Sequence, residues 1–103
     1  MNKDKKVAVE KIWDALERLK SNYATKDSEK KTSAEKIVND MSHSHPEYHA
    51  IFEDEFFRLT DIGNKHRIRH HEMNKIEIID SNYYDYFFNR CLSLIDLAIK
   101  YIQ

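Results

Sequence analysis

The sequence predicts an all-α fold, an up-down bundle of about four amphipathic helices in one domain over residues 1–103, and three observations carry this. Glycine and proline each occur once, whereas a β-sandwich or barrel of this size needs one or the other at several tight turns. Apolar residues recur at three- and four-residue steps through most of the chain, which is the helical period. The 103 residues suffice for one hydrophobic core and are too few for two.

The first helix is expected over residues 8–23, where Val9, Ile12, Trp13, Leu16 and Leu19 share a face and Glu10, Lys11, Asp14, Glu17 and Arg18 separate them. Residues 26–31 are polar and read as an exposed loop. Thr32 or Ser33 then caps a second helix with Ala34, Ile37, Val38 and Met41 on one face. Residues 42–45 interrupt the pattern, and Pro46 falls in the first turn of a third helix, where its missing N–H costs nothing. That helix turns Phe52, Phe56, Leu59 and Ile62 inward. It is expected to end or kink at Gly63 and Asn64, residue types that accept a left-handed conformation.

Residues 66–80 lack helical periodicity and read as an extended or irregular connection, with a brief strand in the β-branched run Ile76, Ile78 and Ile79. Asp80 or Ser81 caps a last helix that runs to the C-terminus, about 33 Å at ~1.5 Å per residue. Its polar residues Asn82, Asp85, Asn89, Ser93, Asp96, Lys100 and Gln103 form one narrow stripe, with Arg90 beside it. A helix apolar around most of its girth needs more cover than three short partners give, so a homodimer through this helix is expected.

Composition excludes several classes. With 41% hydrophobic and 34% charged residues, the chain is neither a membrane protein nor a disordered one, and its surface is rich in ions. A net charge of −1 supplies no overall basic field, so contact with nucleic acid must come from a local patch. No apolar run approaches the ~18 residues of a membrane span. Cys91, the lone cysteine, is expected to be a packed thiol of a cytoplasmic protein.

One patch stands out. Residues 64–72 read Asn-Lys-His-Arg-Ile-Arg-His-His-Glu, with Lys65, Arg67, Arg69 and three histidines close together. Arginine offers planar paired donors to phosphate, lysine a point charge, and histidine proton transfer near neutral pH. RNA cleavage without a metal needs one group to take the 2′-hydroxyl proton, another to protonate the leaving oxygen, and a cation on the developing charge. His70 or His71 suits the proton transfers, and Arg67 or Arg69 the charge. His43, His45 and His49 form a second group, but without Cys or carboxylate completing a ligand pattern they read as surface histidines. Trp13 and the aromatics of the last helix read as core.

The runs WDALERLK, EKKTSAEKIV, LTDIGNKHRIRHHE and YFFNRCLSLIDLAIKY together resemble the HEPN superfamily, closest to domains of prokaryotic abortive-infection and anti-phage defence proteins. The resemblance spans nearly the whole chain. It implies a helical bundle that dimerises and acts on RNA as a metal-independent endoribonuclease of a defence or toxin–antitoxin system. The partners it implies are RNA, a second copy, and an antitoxin or larger defence protein; no cofactor is implied.

The family's motif is an arginine, then a polar residue, then a histidine after four to six positions, with two protomers sharing one composite site. Asn64 matches the polar position and His70 the histidine, while the arginine position falls on Gly63. The resemblance thus implies His70, Arg69, Asn64 and Arg67 as the catalytic set, with Arg67 or Arg69 standing in for the arginine. Lys65, His66, His71 and Glu72 join Arg67 in contacting RNA. The alternative is a non-catalytic HEPN-like module that binds RNA or nucleotide, or dimerises.

Overall fold

The computed structural model describes residues 2–66 and 75–102, and among them four α-helices make up the regular structure: α1 (Asn2–Lys20), α2 (Lys30–Ser42), α3 (Pro46–Lys65) and α4 (Ser81–Ala98). The longest extent, 40 Å, exceeds the ~30 Å of the longest helix, so the helices are staggered. α1 lies chiefly along α4, and α2 along α3. α2 and α3 form an antiparallel hairpin through residues 43–45. α4 returns antiparallel to α3, bringing Arg90 to Glu55 and Phe87 to His66.

The up-and-down alternation expected of the whole bundle fails at α1, which runs parallel to α4. Their apolar faces are matched start to start and end to end: Val9 and Trp13 cluster with Tyr84, then Leu16 with Cys91, Leu94 and Ala98. Lys5 Nζ lies 2.9 Å from Asp85 Oδ2, a contact consistent with that register.

The helix faces follow the sequence closely, and the ends follow it less well. α1 begins before residue 8 and stops at Lys20, after which Ser21, Asn22 and Tyr23 turn. Asp27–Glu29 is a 3-10 turn within the stretch expected to be loop. Neither Thr32 nor Ser33 caps α2. The buried Ser33 hydroxyl instead accepts the Tyr23 N–H at 2.9 Å, joining the end of α1 to the first turns of α2. His45 caps α3, its Nδ1 accepting the Glu47 N–H at 3.3 Å, and Pro46 opens that helix. Asp80 caps α4, its Oδ1 accepting the Asn82 N–H at 2.8 Å.

α4 ends at Ala98 rather than at the C-terminus, because residues 99–101 tighten into a turn, so its length is about 27 Å. Between α3 and α4 the expected strand is reduced to an isolated parallel bridge of His66 with Ile76. Ile78 is buried and plugs the cluster of Val9, Trp13 and Tyr84, whereas Ile76 and Ile79 are exposed.

The main core joins all four helices through Leu16, Ile37, Met41, Phe56, Leu59, Cys91 and Leu94. Burying each such side chain removes apolar area worth roughly 1.5–3 kcal/mol, so this cluster dominates stability. Cys91 is buried, as expected, and burial pushes its thiol up to about 11. No described helix is long and apolar enough to cross a membrane.

Candidate functional site

The polar segment singled out from the sequence starts at the last turn of α3. That helix does not end or kink at Gly63; it continues to Lys65, and Gly63 is buried without a positive φ. The glycine serves a close approach instead. The indole of Trp13 lies on the backbone of α3, with Nε1 donating to the Leu59 carbonyl at 3.1 Å, and a Cβ on residue 63 would fall inside the indole ring. Any side chain here is therefore excluded while Trp13 keeps its seat.

Asn64 and Lys65 are exposed, and Lys65 Nζ lies 3.1 Å from Asp61 Oδ2. His66 is half-buried with its ring 6.3 Å from that of Phe87. Its Nδ1 is buried and has no hydrogen-bond partner among the described residues. The Ile76 N–H donates to the Lys65 carbonyl at 2.9 Å, so the two flanks of the segment are tied together and anchored by Ile78 in the core. Arg67, Arg69, His70, His71 and Glu72 lie outside the described residues. Of the expected site, the structure thus locates Asn64, Lys65 and His66.

Nearby, the buried Tyr84 phenol is raised by burial first and by Glu77 and Glu10 second, so it stays protonated at neutral pH. The second histidine group has structural roles. His43 ends α2 in a left-handed conformation (φ 53°) with its ring edge-on to Tyr101, His45 caps α3, and His49 Nδ1 is 3.9 Å from Glu53. Among the described residues, no three His, Cys, Asp or Glu converge as metal ligands.

Two grooves flank α3. Between α3 and α4, a groove of about 680 Å³ is crossed by Arg90, which donates from Nε and Nη2 to the two Glu55 oxygens at 2.9 and 2.6 Å. Those bonds raise the guanidinium pKa further. On the other side, α1, α2 and α3 enclose a cleft of about 820 Å³ over Ala34, Val38 and Phe56. One end is fixed by a polar triad: Lys20 Nζ donates to Glu17 Oε2 at 3.1 Å and to Thr60 Oγ1 at 2.6 Å, and the Thr60 hydroxyl donates to Glu17 Oε2 at 2.9 Å.

Phe57 borders this cleft with 68% of its surface exposed. The inward set expected for α3 leaves Phe57 out. A second large aromatic one step off the buried face was the available signal for a further surface.

Comparison with known proteins yields no match to a family model, to a curated protein or to a solved structure.

Proposed function

We propose that this chain is an RNA-directed, HEPN-like domain of a prokaryotic defence or toxin–antitoxin system, a dimeric, metal-independent endoribonuclease acting through residues 64–72. The observation that carries the reading is the density of phosphate-binding and proton-transferring side chains in that stretch, with the exposed Asn64 and Lys65 at the end of α3 as its first members. Support comes from the backbone tie between Lys65 and Ile76, which fixes both flanks on the core. In this reading His70 moves the proton, Arg69 and Arg67 stabilise phosphate charge, Asn64 positions it, and Lys65, His66, His71 and Glu72 complete the RNA contact.

A second reading is favoured by one observation. The position aligned with the motif arginine is Gly63, and Trp13 leaves it no room for a side chain. In the second reading the domain binds RNA without cutting it.

Purified protein on total RNA and tRNA, with EDTA present, tests both. Cleavage leaving a 2′,3′-cyclic phosphate, lost by about two to four orders of magnitude in His70→Ala and weakened in Arg69→Ala, supports the enzyme. Absence of cleavage, with RNA binding that falls steeply with salt and maps to Lys65, Arg67 and Arg69, selects the second reading. Absence of both rejects the RNA assignment.

A further inference from the structure

We infer that the cleft between α2 and α3 is a docking groove for an amphipathic helix of another protein, one that carries acidic side chains first and basic ones a turn later and lies parallel to α2. This goes beyond the RNA reading and does not rest on it. Both walls of the cleft have the period of a helix. On α3 the lining steps through Ala50, Glu53, Phe57 and Thr60, and on α2 from Lys31 through Ala34 to Val38. The furrow between two such ridges is where a third helix seats when ridges pack into grooves. From Ala50 to Thr60 the wall is ~15 Å long at ~1.5 Å per residue, about three turns of an occupant.

α1 does not fill this furrow. It stops at Lys20, where the contacts among Lys20, Glu17 and Thr60 close one end of the cleft. Beyond that end stands Phe57, 68% exposed, with a small alanine on each wall, Ala34 and Ala50. Small residues let a partner backbone approach closely, and a projecting aromatic beside an apolar floor is the usual anchor of a helix-in-groove contact. No described residue of α4 lines the cleft, so its occupation leaves the face of α4 free.

Charge selects the kind of helix and its direction. α2 and α3 are antiparallel, so Lys30 and Lys31 at the start of α2 lie toward the Thr60 end, and Glu35 lies toward Glu53 and Asp54. Lys31 and Glu35 take part in no ion pair with a described residue. The pairs that do form, Lys30 with Asp27 at 3.6 Å, His49 with Glu53 at 3.9 Å and Arg58 with Asp54 at 3.2 Å, are local contacts of three or four residues' separation. Pairs of this type are worth little and exchange readily. Four residues of helix rise, ~6 Å, separate the basic site from the acidic one. An occupant that answers both carries an anion and a cation one helical turn apart beside an apolar stripe. A helix with Glu at one position and Lys four later has that spacing, and the order suits its own dipole. Its acidic turn over Lys30 and Lys31 sets it parallel to α2 and antiparallel to α3.

Fluorescence anisotropy of the full chain with two labelled, alanine-based peptides of about 15 residues tests the inference. Both peptides carry Leu at i, i+4 and i+7; in one the flanking charges run Glu then Lys, in the other Lys then Glu. We expect the acid-first peptide to bind at least about 10-fold tighter, a preference that shrinks as salt rises. Phe57→Asp should weaken binding about 30-fold or more, with helical circular dichroism unchanged because the side chain is mostly exposed. The base-first peptide is the poorer helix on its own, so the deciding variant is Lys30→Glu/Lys31→Glu/Glu35→Lys/Glu53→Lys, at four exposed positions. Its preference between the peptides should invert. Binding of neither peptide up to about 1 mM, equal binding of both, or a preference that fails to invert overturns the inference. So does displacement of the peptide by equimolar dodecanoate, which assigns the cleft to a small amphiphile, or self-association abolished by Phe57→Asp, which assigns it to a second copy.

Discussion

Replacing Gly63 by alanine tests the central packing contact of this fold, because two effects of opposite sign meet there. In the middle of an exposed helix the change would stabilise by ~0.8–1 kcal/mol through backbone entropy. Here the new methyl falls within the Trp13 indole, and overfilling a packed site costs about 1–3 kcal/mol. Displacing the indole also breaks the bond from Nε1 to the Leu59 carbonyl, leaving a buried donor unsatisfied at roughly 1–3 kcal/mol.

The net expectation is destabilisation by about 2–4 kcal/mol, or a fall in Tm of the order of 10 °C. Urea unfolding followed by circular dichroism measures it. Trp13 is the only tryptophan, so its fluorescence reports the same contact directly. Trp13→Phe should make the second substitution cheaper, with a coupling of at least about 1 kcal/mol in the double-mutant cycle. A neutral or stabilising Gly63→Ala, or additive single changes, would refute the idea that Gly63 is there for the indole.

Further outcomes follow from the hydrogen bonds and the buried thiol. Ser33→Ala should cost about 1–2 kcal/mol in urea melts, because the Tyr23 N–H loses its acceptor. Arg90→Ala and Glu55→Ala should each destabilise, with a cycle coupling near ~1 kcal/mol for a two-bond pair only partly shielded from water. The Cys91 thiol, pushed up to about 11 by burial, should resist thiol reagents in the folded protein at pH 8 and react in denaturant. Since the folded chain holds that proton to higher pH than the unfolded chain does, stability should fall as pH rises from about 9 towards 11, a slope that Cys91→Ala reduces.

The helical faces were legible because burial repeats with the helical period: Val9, Trp13 and Leu16, or Ile37, Val38 and Met41, identify themselves by spacing alone. Pro46 and Asp80 likewise marked helix starts through local chemistry. Where a residue serves a partner far along the chain, local rules misread it. Ser33 looks like a cap but accepts from Tyr23, and Gly63 looks like a helix end but receives an indole from fifty positions earlier. The direction of α1 against α4 was equally hidden, because periodicity gives a face and no partner. Of the proposed site, the density of basic and histidine side chains in residues 64–72 was plain. The cleft beside Phe57 was not, since it exists only once α1, α2 and α3 have assembled.

The pairing of the first helix with the last also sets the order in which the chain can fold. α2 and α3 are neighbours in sequence, so their contacts close a short loop, whereas α1 reaches α4 only after most of the chain has been brought round. A nucleus built on the α2–α3 hairpin follows, with α1 and α4 docking late. Truncating Ile37 or Leu59 should then slow refolding, while truncating Val9 should leave the refolding rate nearly unchanged and accelerate unfolding. Such a protein would lose its two terminal helices together, and first, whenever it opens.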